Sequence, residues 1–261
     1  MNFHKMHALG NDFCIFGSPI DKTLPDKELI KRICDRRYGV GCDCAVFIGK
    51  SDFSDYFMHV YNPDGFEAEI CGNALRCSVK YVCDNGYFKK RNFYVQTNSG
   101  IKKAIFAKDG IFTEIGKADV IESSFLCIAG VNIPYVSVSL GNPHCVVFVK
   151  SLSDEDFLML GKAIENHPRF PNGTNVEFAR VIDENTIEMR VWERGIGETF
   201  SCTTGSCACV AALNFIEEKL LNRNVVQHGG NLLIEVDDTE TMSVTGNCTT
   251  IFKGTLLNSG G

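Results

Sequence analysis

The feature that most constrains the fold is a weak internal repeat with a constant offset of 131 positions. Leu9-Gly10-Asn11 matches Leu140-Gly141-Asn142, and Cys71 matches Cys202, each cysteine just before a helix-like run. The offset holds without a gap from residue 9 to residue 79. A register that persists over this length predicts two structurally similar lobes within the 261-residue chain.

Each half contains short apolar runs that predict strands, followed by a helix that begins at the cysteine. The predicted strands are DFCIF, CAVFIG and YFMHVYN in the first half and PHCVVFV, NVEFARV and TIEMRVW in the second. Helices are predicted from Asn73 to about Cys83, from Thr203 to about Leu221, and over DKELIKRICDRR after Pro25. The pattern is that of an α/β (α+β) protein with two pseudo-symmetric lobes, a boundary near residues 116–119 and a cleft between the lobes.

Composition limits the classes of partner. The net charge of −6 and the scattered basic residues argue against nucleic acid as a partner. No run approaches the roughly 20 apolar residues of a membrane span, and the first residues lack the apolar core of a signal peptide, so a cytoplasmic protein is expected. The thirteen cysteines are an odd number in a chain of this size, which argues against a disulfide scaffold.

The two matched cysteines suggest acid–base chemistry. The first turn of a helix presents unpaired N–H groups and the positive end of the helix dipole, which bind a carboxylate and lower the pKa of a thiol. The repeat predicts pseudo-symmetric lobes that would point Cys71 and Cys202 at one ligand from opposite sides. A thiolate base and a thiol acid placed in this way invert a stereocentre without a cofactor. The chain has neither a dinucleotide-binding fingerprint nor a P-loop.

Several longer motifs, in order, carry a resemblance to a known family. They are KMHALGNDF, RRYGVGCD, YNPDGFEAEICGNALRC, LGNPHCVVFV, NGTNVEF and RVWERGIGETFSCTTGSCA. Together they resemble the diaminopimelate epimerases. The resemblance implies cofactor-independent interconversion of LL- and meso-2,6-diaminopimelate, in lysine and cell-wall precursor synthesis. It also implies that each lobe is a curved β-sheet or barrel around a central helix, with residues 1–116 joined by a returning strand at 249–261, and 117–248 forming the second lobe.

The resemblance also implies roles for individual residues. Cys71 and Cys202 would be the acid/base pair, with Glu193 and His144 as polar groups that flank the reacting centre. The reacting carboxylate would be bound by backbone N–H groups at the two helix starts, from Gly72, Asn73, Thr203 and Thr204. The distal amino-acid end of the substrate would be held by Asn11, Asn62, Asn142, Asn175 and Arg194, and Cys44 occupies a further substrate-binding position.

The sequence departs from the family's pattern at the walls of this pocket. Cys44 stands where the family commonly has Gln or Gly, Ala74-Leu75 replaces a Gly-Ala pair, and Thr203 replaces a glycine. Both thiols are retained, so the reaction class is indicated more strongly than the substrate. No metal site is expected. An amino acid is the expected ligand, and a homodimer is left open.

Other functions remain open from the residues alone. The same two-thiol chemistry would racemise another amino acid, such as histidine or a sulfur-containing diamino diacid. From a different class, the cysteines would form a zinc or redox site. The C-x-C spacings of Cys42 with Cys44 and of Cys207 with Cys209 lack the C-x2-C partners of common zinc modules.

Overall fold

The computed structural model describes residues 1–20, 24–68 and 71–257. Its helices are α1 (Lys27–Cys34), α2 (Gly72–Asp84), α3 (Asp154–Glu165) and α4 (Thr203–Glu217). Its strands are β1 (Asn2–Ala8), β2 (Asn11–Gly17), β3 (Cys44–Gly49), β4 (Tyr56–Tyr61), β5 (Asn92–Thr97), β6 (Gly100–Phe106), β7 (Ile111–Lys117), β8 (Asp119–Ile128), β9 (Val131–Ser139), β10 (Pro143–Phe148), β11 (Asn175–Asp183), β12 (Thr186–Glu193), β13 (Gly197–Thr199), β14 (Arg223–Gln227), β15 (Gly230–Val236), β16 (Thr241–Gly246) and β17 (Thr249–Thr255).

The chain divides into two compact units. The first contains Met1–Glu114 and Gly246–Gly261, and the second contains Ile115–Thr245. The expected returning strand at 249–261 corresponds to β17, which pairs antiparallel with β1 in the first unit. Residues 258–261 of that expected strand lie outside the described residues.

The first unit has a mixed sheet in which neighbouring strands follow the order β17, β1, β2, β3, β4, β5, β6, β7, the last of these pairing with β6 through residues 111–113. The pairs β2/β3 and β4/β5 are parallel, and the other neighbours are antiparallel. Helix α2 contacts strands β1, β2, β3, β4 and β6, so the sheet curves around this helix. Apolar side chains of α2, including Leu75, Val79 and Val82, are buried in the same cluster as Phe13 and Val46 of the sheet.

The second unit has the same topology in the order β8, β9, β10, β11, β12, β14, β15, β16. The parallel pairs are β10/β11 and β12/β14, and the other neighbours are antiparallel. Register repeats with the 131-residue offset: Val46 pairs with Val60, and Glu177 pairs with Val191. Helix α4 contacts strands from β8 to β15 and is buried along most of its length.

Two helices end earlier than the sequence predicts, and one helix was not predicted. Helix α1 ends at Cys34 rather than in the following arginines, because the Asp35 carboxylate accepts the N–H groups of Arg37 and Tyr38. Helix α4 ends at Glu217, since Glu218 adopts a left-handed conformation with φ 53°. Helix α3 was not predicted, although Ser153 caps it by accepting the N–H of Asp156 at 3.1 Å.

Within the ranges 1–20, 24–68 and 71–257, no helix is both long enough and apolar enough to cross a membrane. The longest, α4, has 15 residues.

An ion-pair network around the largely buried carboxylate of Asp12 fixes the start of β2. The carboxylate of Asp12 binds Lys5 at 2.5 Å and Arg36 at 2.8 Å, and accepts the N–H of Asp43 at 2.9 Å. Burial alone would raise the pKa of Asp12, but the bonds from Arg36, Lys5 and Asp43 outweigh it and hold that pKa well below its usual range. The ionised carboxylate therefore stabilises the folded state.

We expect Asp12→Asn to lower the free energy of unfolding by about 3 kcal/mol at pH 7, because it leaves Lys5 without its buried partner. A carboxyl whose pKa is lower in the folded state stabilises that state above its unfolded pKa, about 3.9, and loses this contribution at lower pH. The difference between variant and wild type should therefore shrink progressively as the pH falls below about 4. Urea unfolding at several pH values measures it. Asp52→Asn is the control, since Asp52 is exposed and 3.8 Å from Lys50; an equal loss in both variants would contradict the prediction.

Candidate active site

Cys71 stands immediately before α2 and caps it. Its backbone is extended, with φ −137° and ψ 103°, and its sulfur accepts the N–H of Ala74 at 3.5 Å. The side chain is half-buried, whereas Gly72 and Asn73 at the start of the helix are buried. The thiol therefore lies beside first-turn N–H groups at the positive end of the helix dipole.

Asn11 connects this cysteine to the turn between β1 and β2. Its Oδ1 accepts the thiol of Cys71 at 3.7 Å and the amide of Asn73 at 3.3 Å. Its Nδ2 donates to the carboxylate of Asp43 at 3.0 Å. The turn is tight, since Leu9 and Gly10 both have positive φ. The predicted site residues Asn11, Cys71 and Asn73 thus form one hydrogen-bonded group.

Cys44 and Asn62, also predicted from the first half, lie against each other. The thiol of Cys44, the first residue of β3, donates to Oδ1 of Asn62 at 3.7 Å. Asn62 follows β4 directly, and its N–H donates to the carbonyl oxygen of Phe66 at 2.9 Å. Cys44 and Cys71 both pack against the apolar cluster around α2. The substitution at position 44 therefore leaves a polar contact in place, made by a thiol.

Cys202 caps α4 in the same way as Cys71 caps α2. Its backbone has φ −130° and ψ 117°, and its sulfur accepts the N–H of Gly205 at 3.3 Å. The hydroxyl of Thr204 lies 3.5 Å from the sulfur, and the N–H of Cys202 donates to the Gln227 side chain at 2.8 Å. Cys202, Thr203 and Thr204 are all buried. The two cysteines are thus local structural equivalents.

Three further predicted residues of the second unit make hydrogen bonds at the ends of β11 and β12. They are Asn175, Glu193 and Arg194. Oδ1 of Asn175 accepts the N–H of Arg194 at 3.0 Å, and Nδ2 donates to the carbonyl oxygen of Pro143 at 3.0 Å. The carboxylate of Glu193 accepts the hydroxyl of Thr199 at 2.5 Å. The guanidinium of Arg194 is exposed, with Nη1 3.5 Å from the carbonyl oxygen of Asn172. Arg194 is therefore positioned through its backbone while its charged end faces solvent.

His144 and Asn142 form a separate buried group with a residue that the sequence analysis missed. Nδ1 of His144 lies 2.7 Å from Oε1 of Glu177, and both side chains are completely buried. Nε2 of His144 lies 3.1 Å from Oδ1 of Asn142, whose Nδ2 donates to the hydroxyl of Thr204 at 3.3 Å. A charged residue within the apolar run NVEFARV was the available signal for Glu177.

The electrostatic environment of Cys202 differs from the sequence expectation. Burial raises the pKa of the Cys202 thiol well above its usual value, and the carboxylates of Glu193 and Glu177 raise it further. The bonds from Thr204 and Gly205 lower it but do not compensate. The expectation that the helix start lowers this pKa is therefore wrong for Cys202, which keeps its proton at neutral pH.

The thirteen cysteines are all free thiols. In the part of the chain that the structure describes, no three His, Cys, Asp or Glu side chains are grouped so that they could hold a metal ion.

A known protein family matches most of this sequence. The model of the diaminopimelate epimerases matches residues 3–121 and 136–251. The chain belongs to the diaminopimelate epimerase family. The resemblance predicted from the motifs, and with it an enzyme of the isomerase class, is confirmed.

Individual relatives cover almost the whole chain of this family member. A protein of Desulfitobacterium hafniense named diaminopimelate epimerase is 38% identical over 98% of this chain and 98% of its own length. A protein of the same name from Methanococcus maripaludis is 35% identical over 97% of this chain and 99% of its own. Membership of the diaminopimelate epimerase family therefore extends over both units.

Solved structures with low sequence identity share the fold. A PhzF-family phenazine biosynthesis protein of Bacillus anthracis has a TM-score of 0.72 at 17% identity, covering 99% of both chains. A hydroxyproline epimerase of Agrobacterium vitis has a TM-score of 0.73 at 14% identity, covering 97% of this chain and 91% of its own. The predicted fold class, a diaminopimelate epimerase-like α/β fold, is confirmed.

Proposed function

We propose that this protein interconverts LL- and meso-2,6-diaminopimelate, with Cys71 and Cys202 as its acid/base pair and without a cofactor. The observation that carries the proposal is the equivalence of the two cysteines. Each is the N-cap residue of the helix around which its unit is built, and each sulfur already accepts a first-turn N–H group. Family membership supplies the substrate class.

The chemistry requires a base on one face of the substrate α-carbon and an acid on the other. The base thiolate takes the α-hydrogen as a proton, and the electron pair of the C–H bond is delocalised into the adjacent carboxylate. The acid thiol then donates its proton to the opposite face, which inverts the stereocentre and leaves the two cysteines with exchanged protonation states. N–H groups in the first helical turns stabilise the charge that develops on the carboxylate.

In the substrate-free protein, burial prepares Cys202 for the acid role. The raised pKa of Cys202 keeps its proton in place, so that Cys71 is the group that acts as base. In the opposite direction the roles are reversed. The pH profile of turnover then reports apparent pKa values that belong to the pair rather than to one thiol.

The other predicted residues are assigned to the two ends of the substrate. In this proposal the reacting carboxylate is bound at the helix starts, by the backbone of Gly72, Asn73, Thr203 and Thr204. The distal amino-acid end is bound by Asn11, Asn62, Asn142, Asn175 and Arg194. Glu193 and His144 tune the charge near the reacting centre, and Cys44 contributes through its contact with Asn62.

Incubation of the protein with LL-diaminopimelate in D2O tests the function directly. We expect meso-diaminopimelate to form with one deuterium at the inverted α-carbon, without added pyridoxal phosphate. A parallel panel of L-histidine, other L-amino acids and a sulfur-containing diamino diacid distinguishes the alternative substrates. Inversion of one of these in preference to diaminopimelate would redirect the substrate assignment while retaining the two-thiol chemistry. Absence of α-deuteration in every substrate would contradict the proposal.

Arg194→Lys tests whether the Arg194 guanidinium binds the distal amino-acid end of the substrate. We expect the KM for LL-diaminopimelate to rise roughly tenfold with little change in kcat, because an ammonium cannot reproduce the planar two-point contact of guanidinium with a carboxylate. Steady-state kinetics measure both constants. Arg180→Lys is the control, since that arginine is ion-paired with Glu188 on the same sheet. An unchanged KM in Arg194→Lys would remove Arg194 from the proposed site.

A further inference from the structure

Glu177 is a buried charged residue that the proposed reaction does not use. Its side chain and that of His144 are both completely buried, with Nδ1 of His144 2.7 Å from Oε1. Its other oxygen, Oε2, is buried and has no hydrogen-bond partner among the described residues. A buried carboxylate with an unsatisfied oxygen destabilises the fold. Its presence as the third residue of β11 therefore calls for a reason other than packing.

A chain of hydrogen bonds leads from this carboxylate to the sulfur of Cys202. Oε1 of Glu177 and Oδ1 of Asn142 are both acceptors, so each ring nitrogen of His144 donates, Nδ1 to Oε1 at 2.7 Å and Nε2 to Oδ1 at 3.1 Å. Nδ2 of Asn142 donates to the hydroxyl oxygen of Thr204 at 3.3 Å, and that oxygen lies 3.5 Å from the sulfur. Because the hydroxyl oxygen already accepts from Asn142, its proton is directed at the sulfur. The chain thus favours the thiolate of Cys202 once its proton has left.

The first unit provides an internal comparison in which the same framework lacks this chain. With the offset of 131 positions, Phe13 corresponds to His144 and Val46 to Glu177, and both are buried in the apolar cluster around α2. The strand registers at these positions are the same in both units. The fold therefore needs neither a histidine nor a carboxylate at these two places.

We propose that Glu177 is a positioning residue for proton transfer at Cys202, which it serves by fixing the ring of His144 and, through Asn142, the hydroxyl of Thr204. This inference rests on the proposed function of Cys202 as an acid/base group. Without the carboxylate the ring no longer donates from both nitrogens, so the amide of Asn142 is free to turn and the hydroxyl is no longer held towards the sulfur. This chain of hydrogen bonds does not include Cys71, the reacting thiol of the first unit.

Glu177→Gln removes the charge while keeping the shape. We expect kcat for LL-diaminopimelate to fall roughly tenfold to hundredfold with little change in KM, the range found for partners that orient a functional histidine. A second measurement needs no substrate: the rate at which iodoacetamide alkylates each cysteine, followed by peptide mass spectrometry from pH 6 to pH 10. Alkylation of Cys202 should slow about threefold to tenfold in the variant, because the thiolate loses the Thr204 hydrogen bond, while the lost negative charge of the carboxylate is offset by the proton that the His144 ring gives up with it. Alkylation of Cys71 should not change.

The direction in which the alkylation rate of Cys202 changes distinguishes a positioning role of Glu177 from a purely electrostatic effect of its charge. The charged groups that face Cys202 are Glu177 on β11 and Glu193 on β12, with the ring of His144 on β10. Loss of a nearby negative charge by itself favours the thiolate and accelerates alkylation. Faster alkylation of Cys202 in Glu177→Gln, or an unchanged rate together with an unchanged kcat, would overturn the proposal.

Two further variants guard against a folding defect. The double variant Glu177→Val with His144→Phe reproduces the apolar pair of the first unit, and we expect it to fold and to show the same slow alkylation of Cys202. Tyr56→Phe removes a buried hydrogen bond to Ser78 in the first unit, and both thiols should keep their wild-type rates. A double variant that folds and alkylates as wild type would also overturn the proposal. Failure of the wild type to invert diaminopimelate would contradict the proposed function, whereas the alkylation results would still test the positioning.

Discussion

Replacement of either matched cysteine should abolish nearly all turnover, and the choice of alanine or serine should decide whether stability falls as well. For Cys71→Ala and Cys202→Ala we expect kcat to fall by at least about a hundredfold, the scale of losing one acid/base group. The sulfur of each cysteine also accepts a first-turn N–H group, so alanine should lower the free energy of unfolding by about 1 kcal/mol.

Serine separates the two roles of the same side chain. It is a preferred N-cap residue, so Cys71→Ser and Cys202→Ser should retain the capping hydrogen bond and wild-type stability. A hydroxyl loses its proton far less readily than a thiol, so turnover should remain as low as in the alanine variants. Urea unfolding and the D2O assay measure the two effects on the same protein samples.

Other cysteines in the same helices provide the controls. Cys77 in α2 and Cys209 in α4 are completely buried and do not cap a helix. Their alanine variants should lose some stability through the cavity they create but keep kcat within about threefold of wild type. Wild-type epimerisation in any variant of Cys71 or Cys202 would exclude that cysteine from the acid/base pair.

Gly205→Ala should be destabilising although alanine is the better helix former. An alanine in the first turns of α4 would normally stabilise the helix by up to about 1 kcal/mol. Here its Cβ would lie 2.7 Å from Oε1 of Glu177, which is held by His144, and 3.3 Å from Cβ of Cys202. We expect the free energy of unfolding to fall by about 2 kcal/mol, because a fixed buried group must move.

The first unit again supplies the matched control. The position equivalent to Gly205 is Ala74, which is buried without conflict because Val46 stands where Glu177 stands in the second unit. We therefore expect Gly205→Ala to become neutral or stabilising when combined with Glu177→Val, a coupling that a double-mutant cycle of urea unfolding measures. Stabilisation by Gly205→Ala alone would show that the carboxylate of Glu177 moves at little cost.

The offset repeat made the helices that follow the two cysteines, and the strands packed against them, predictable. Strands predicted over CAVFIG and NVEFARV correspond to β3 and β11, and the helices predicted after Cys71 and Cys202 correspond to α2 and α4. These predictions succeeded because period-2 apolar patterns and helix-start residues are local properties of the chain. The end of α4 was predicted too late, since Asn214 forms hydrogen bonds to Leu221 across the turn that no local pattern indicates.

The sequence by itself determined the duplicated topology, the family and the two equivalent thiols, because each depends on residue identity and spacing along the chain. Only the tertiary structure decided the environment of Cys202. A helix start favours the thiolate, yet burial together with Glu177 and Glu193 raises the pKa of Cys202. Desolvation and the distances between charges depend on residues that are remote in sequence and adjacent in space. For the same reason, the sequence showed Glu177 only as a charge within a strand, and the fold places it beside His144.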